Sequence, residues 1–203
     1  MQHAVRIAGP TVAKIVLCGA PNSGKSELAV ELGRAMRKHG KHPTAIIDDY
    51  TKEISGRYDL GVGVQGSYLV DLAVAVERLA QEYAAAREGS EHFIVVGSLA
   101  ETSIHTALNC ELEQSDVSWA VANVIMPVWP LMRRSSGDHT TYLLPLGDDP
   151  SNFETTLYEN MPLALEGLMV PYAALPIEHK DMWVDYILYE TFGIGDVPNP
   201  SQD

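Results

Sequence analysis

The residues Gly19-Ala20-Pro21-Asn22-Ser23-Gly24-Lys25-Ser26 follow the pattern G-x-x-x-x-G-K-[ST]. That spacing suits phosphate chemistry. Gly19 and Gly24 let backbone N–H groups turn inward onto phosphate oxygens, and a helix opening after the loop adds the positive end of its dipole. In this pattern the lysine reaches the β- and γ-phosphates and the serine hydroxyl ligates Mg²⁺. A second cluster, Asp48-Asp49-Tyr50, lies 23 to 25 residues after Lys25. A carboxylate near a γ-phosphate can orient an alcohol and accept its proton. The plainer reading of the two aspartates is a solvated strand end.

The flanking segments fit these roles. Lys14-Ile15-Val16-Leu17-Cys18 reads as a strand, and Lys25 to about His39 as a helix with Leu28, Leu32, Ala35 and Met36 on one face and Gly40 as its stop. Thr44-Ala45-Ile46-Ile47 is a second strand, delivering the aspartates at its end, where ligands of open α/β sheets gather. A polar, Gly-rich stretch from Thr51 to Ser67 leads to a helix with the stripe Leu69, Leu72, Ala73, Val76, Leu79, Ala80 and Tyr83. Phe93 to Val96 is a third strand, Ser115 to Met126 a helix, and Thr140 to Leu146 a fourth strand. Ser151-Asn152-Phe153-Glu154 has capping-box spacing, so a helix opens there, with Pro162, Pro171 and Pro176 breaking the later segments. Trp183 to Phe192 reads as either strand or helix. Strands alternating with helices imply a mostly parallel sheet covered on both faces.

With its strand before and helix after, the glycine loop resembles that of the P-loop NTPase superfamily, over about residues 12–150. The acidic motif after the second strand is similar to that of P-loop kinases, namely the uridine-kinase-like and 5′-polynucleotide enzymes. The resemblance implies a three-layer α/β/α P-loop fold, residues 1–203 forming one kinase-like domain with 151–203 as a C-terminal helical extension. It implies ATP and Mg²⁺ as cofactors, bound by residues 19–26, with Asp48 or Asp49 as base and the other helping to hold Mg²⁺ through water.

The chain also departs from those families. Phe93-Ile94-Val95-Val96 runs into Gly97-Ser98-Leu99-Ala100-Glu101, without the aspartate that closes a Walker B strand. Glu101 is the nearest carboxylate, and is read as either a metal or substrate ligand or a surface residue. The Asp-Arg pair of thymidylate kinases is missing, and no Arg follows Leu146 where a lid would neutralise transition-state charge. Arg133 and Arg134 are the substitutes, as lid residues or as a pair capping the preceding helix. Arg57 is read as an acceptor contact or an ordinary loop residue.

Charge divides the 203 residues unevenly. Residues 1–100 hold 11 basic and 11 acidic side chains; residues 101–203 hold 3 and 16, which accounts for the net charge of -13. After Arg134 the one basic residue is Lys180. A single-sign acidic surface repels phosphate backbones, so an anionic ligand falls to the first half or to Arg133 and Arg134. No apolar run approaches the roughly 18 residues of a membrane span. Cys18 and Cys110 read as buried reduced thiols, and with no secretory signal the expected compartment is the cytoplasm. Gly61-Val62-Gly63-Val64-Gln65-Gly66 fits G-x-G-x-x-G but comes after no clear strand, so it reads as a flexible segment over the acceptor site. His39 and His42 lack partners at zinc spacing. The expected activity is transfer of the ATP γ-phosphate to a hydroxyl of a nucleoside, nucleotide or nucleic-acid base or 5′ end. The alternative is a nucleotide-dependent switch or assembly ATPase.

Overall fold

Strand β1 (Ala13–Cys18) is buried along its whole length and forms the middle of the sheet. The structure, a computed structural model, describes residues 13–42, 44–58, 68–112, 139–167 and 169–195. The expected helix over 115–126, the Gly61–Gly66 segment, and Arg133 with Arg134 lie outside the described residues. β1 is flanked by β3 (His92–Val96) and β4 (His139–Leu143), and these by β2 (Thr44–Ile47) and β5 (Tyr172–Ala174). All pairings are parallel, in the order β2-β3-β1-β4-β5, with Ile15 opposite Ile94 on one side and Thr140 on the other.

The period of two in a strand divides the core between the two faces. Ile15, Leu17, Ile94, Val96, Tyr142 and Leu144 pack against α1 (Lys25–Lys38) and α6 (Trp183–Phe192). Cys18 and Leu143 turn the other way, onto α4 (Leu99–Leu112) and α5 (Asn152–Gly167), while Val16, Phe93 and Val95 pack towards Ala85 of α3 (Tyr68–Arg87). The result is the expected three-layer α/β/α fold. Burial pushes the Tyr142 hydroxyl up to about 12, against the hydrogen bond it shares with Thr191 at 3.1 Å. Cys18 is a free, buried thiol whose pKa burial raises. Among the described residues no helix is long and apolar enough to cross a membrane.

Several sequence expectations are corrected. The polar stretch after Tyr50 opens as a helix, α2 (Thr51–Tyr58), because Asp49 Oδ1 accepts the Thr51 backbone N–H at 2.9 Å and the Thr51 hydroxyl as well. In α3 the face read as core is turned outward: Val76 and Tyr83 are 52% and 64% exposed. The buried row is Val70, Val74, Arg78 and Glu82, which runs from apolar to charged along one face. Charge is admitted there because Glu82 takes both carboxylate oxygens to the Lys14 ammonium of β1, at 2.9 and 2.8 Å. α4 is an element that the sequence pattern does not announce. The capping box at Ser151 and Glu154 is reciprocal, with N–H donation at 2.7 and 3.2 Å, but the helix it starts passes through Pro162 instead of breaking there. β4 ends at Leu143, short of Leu146, and Trp183–Phe192 is a helix.

Candidate functional site

The loop from Gly19 to Gly24 leaves the C-terminal end of β1 and returns into α1, as the motif requires. Gly24 caps α1 in the left-handed region, with φ 87°, where an L side chain is strained. The Lys25 ammonium curls back over the loop, donating to Gly19 O at 2.5 Å, Ala20 O at 3.0 Å and Glu101 Oε1 at 3.0 Å. Glu101 Oε2 also accepts from Gly19 N, at 3.4 Å. Glu101 is buried, so its placement is against the phosphate-loop lysine and not on the surface. It is presented by the first turn of α4, where the Ser98 hydroxyl accepts the Glu101 N–H at 3.0 Å.

Across the loop, the Ser26 hydroxyl donates to Asp48 Oδ1 at 3.3 Å, and the same oxygen accepts the Asp49 N–H at 2.8 Å. The two oxygen groups are exposed and hard, the donor type that Mg²⁺ takes when phosphates complete its shell. Among the described residues no group of three or more His, Cys, Asp or Glu side chains is arranged to hold a metal alone. Asp49 is half-buried. Burial by itself raises its pKa, but the two Thr51 hydrogen bonds and the charges of Arg78 and Lys25 outweigh it, so the carboxyl is held below its ordinary range.

These groups line a cleft of about 480 Å³ at the C-terminal ends of β1, β2 and β3. Its far wall comes from α3 and α4, with Asp71, Arg78, Glu101, Thr102 and His105. Burial lowers the His105 pKa below its ordinary value, opposed by Glu101, and its ring meets Phe153 edge-on at 5.2 Å. That favours a neutral imidazole at neutral pH.

Arg78 is the residue that motif reading missed. Its side chain is 3% exposed, yet Nε and Nη1 find no hydrogen-bond partner among the described residues. A buried guanidinium with open donors is rare outside functional sites. It lies against Gly97, where a Cβ would stand 2.8 Å from Nη2, and Gly97 itself has φ 83°. The signal was present in sequence: Arg78 continues the row of Val70 and Val74 at intervals of four, so it falls on the face that meets the sheet. Arg57, by contrast, is exposed and paired with Glu53 at 2.6 Å on the surface of α2. His39 ends α1, its N–H donating to Ala35 O and Met36 O at 3.2 and 3.1 Å.

A parallel sheet in this order, with the glycine-loop motif after its central strand, makes a three-layer α/β/α fold. Solved structures share that fold. NadR in complex with NAD and AMP-PNP aligns with TM-score 0.60 and 13% identity over 92% of this chain and 51% of its own. NadR in complex with NR aligns with TM-score 0.56 and 14% identity, over 94% and 54%. Thymidylate kinase from Ehrlichia chaffeensis aligns with TM-score 0.55 and 11% identity, over 85% and 97%. The chain thus spans about half the length of the NadR structures it matches. No family model and no curated protein matches it by sequence.

Proposed function

We propose that the protein is a phosphotransferase that moves the γ-phosphate of ATP to a hydroxyl of a nucleoside, nucleotide or nucleic-acid acceptor. The observation that carries the reading is the meeting of Ser26 Oγ with Asp48 Oδ1 at 3.3 Å. It joins the end of β2 to the phosphate loop at the edge of a cleft large enough for a second substrate.

In this reading the loop amides and Lys25 hold the β- and γ-phosphates, and Ser26 with Asp48 holds Mg²⁺, which when bound offsets charge on the phosphates. Asp49 is the residue for the acceptor. One of its oxygens is tied to Thr51, which leaves Oδ2 to orient the hydroxyl and take its proton. Arg78 and His105 stand on the acceptor side, with the Arg78 guanidinium helping to hold the Asp49 carboxylate charged. Glu101 holds Lys25 in line with the loop. Arg133 and Arg134 remain candidates for covering the transferring group.

A transfer assay tests this. Parent, Lys25→Ala, Asp48→Asn and Asp49→Asn are given labelled ATP with nucleosides, nucleotides, and 5′-hydroxyl or hydroxymethyl DNA. Product formed by the parent alone is the expected result. Acceptor-independent ATP hydrolysis that survives both Asp substitutions would replace the kinase with a nucleotide-driven switch.

A further inference from the structure

Lys180 is the one Lys or Arg in the last 69 residues of an acidic half, and the fold brings it to the phosphate loop. Its Nζ stands 3.9 Å from where a Cβ on Gly24 would lie. No carboxylate among the described residues is ion-paired with it; its neighbour is the Trp183 ring, 5.9 Å to the centroid.

The approach is built into the fold. Lys180 belongs to the 3₁₀ turn Ile177–Met182, between β5 and α6. That turn is held at both ends. Leu175 N donates to Leu143 O at 2.9 Å, and the indole N–H of buried Trp183 donates to Pro176 O at 2.7 Å. Because β4 and β5 lie on the opposite side of β1 from β3 and β2, the turn reaches the loop from the side away from Asp48, Asp49 and Arg78. An ammonium here stands beside Gly24 at the N-terminal, positive end of α1, where an anion on the loop would meet both.

We propose that Lys180 is a second cationic contact for the phosphate chain of the donor nucleotide, made from the β5 side. The proposal rests on the reading of the loop as the donor site. It gives the acidic half a part in anion binding beside that proposed for Arg133 and Arg134.

The test is equilibrium binding of ADP, inorganic tripolyphosphate and adenosine to the parent, Lys180→Gln and Lys180→Arg, at low and raised salt. Lys180→Gln is expected to weaken ADP and tripolyphosphate by about three- to tenfold, as for an exposed charge-assisted contact, and to flatten the salt dependence. Adenosine binding stays unchanged, and Lys180→Arg restores most of the affinity. A Gln variant that binds both phosphate probes as tightly as a binding-competent parent overturns the role of Lys180 and leaves the loop reading standing. So does one that loses adenosine as much as ADP, which would move the contact to the base or ribose. A parent that binds none of the three probes removes the loop reading and this inference together.

Discussion

The Lys25 ammonium and Glu101 Oε1 lie 3.0 Å apart, with both side chains only 8% exposed. The lysine that defines the phosphate loop is therefore tied to the first turn of α4, and α4 carries Thr102 and His105 into the same cleft. Removing one partner leaves a buried charge alone. Glu101→Ala is expected to lower unfolding stability by about 3–5 kcal/mol, and Glu101→Gln by less, because the amide still accepts from the ammonium. Urea titration measures both. Equal losses for Ala and Gln would mean that the amide's hydrogen bond recovers nothing and the lost charge carries the whole effect.

Arg78 should separate stability from activity. Its Nε and Nη1, without partners among the described residues, make it a costly group to keep in the folded state. Arg78→Met is expected to cost less than about 2 kcal/mol in stability while lowering phosphoryl transfer at least about tenfold. Gly97→Ala should act in the same direction, since its Cβ would press on Nη2 from a strained backbone, at about 1–3 kcal/mol. An Arg78→Met protein that unfolds readily but, where folded, transfers phosphate normally would make Arg78 structural.

The Lys14–Glu82 pair is a contrasting case, buried at 5% and 3% exposure between β1 and α3. Burial lowers the Lys14 pKa more than Glu82 raises it. Glu82→Leu alone is expected to cost about 3–5 kcal/mol, and the double change Lys14→Met with Glu82→Leu to recover most of that. A double variant as unstable as the sum of the singles would refute the argument. Thermal or urea unfolding of the four proteins gives the cycle.

Acid should loosen the site through two carboxylates. Glu154 has a lowered pKa, chiefly from the Ser151 backbone N–H, opposed by burial and helped by the Ser151 hydroxyl and the Asn22 amide. Asp49 is lowered despite its burial. For a depressed carboxyl the stabilisation is complete above the unfolded-state pKa and is lost as pH falls through the folded one. Unfolding free energies of Glu154→Gln and Asp49→Asn should therefore lie below the parent at pH 7 and converge with it towards pH 2–3. Gaps that stay constant across that range would show that ionisation is not the cause.

Legibility in the sequence tracks which interactions are local. The loop, β1, α1, β2 and β3 were readable because apolar runs and glycine spacing encode them within a few residues. α2 was not, because its start depends on the Asp49 carboxylate and its composition is polar. β5 is three residues long on an edge between Pro171 and Pro176, too short for a period to show. The outward turn of Val76 and Tyr83 depended on Lys14 finding Glu82, a contact 68 residues away. Glu101 was already a candidate in the sequence, but its pairing with Lys25, like the place of Arg78 in the cleft, follows from how α4 and α3 pack.

The strand order also sets the sequence in which the cleft comes apart. Among the described residues β1 is hydrogen-bonded on both sides, whereas β2 and β5 are edges. Asp48 leaves β2 and Lys180 comes after β5, so the two flanks of the loop hang on the least protected ladders. Local opening begins at such margins. Amide protons of Ala45 and Ala173 should exchange with solvent deuterium well before those of Ile15 and Leu17, so a partly opened molecule keeps the floor of its phosphate cradle after its walls have gone.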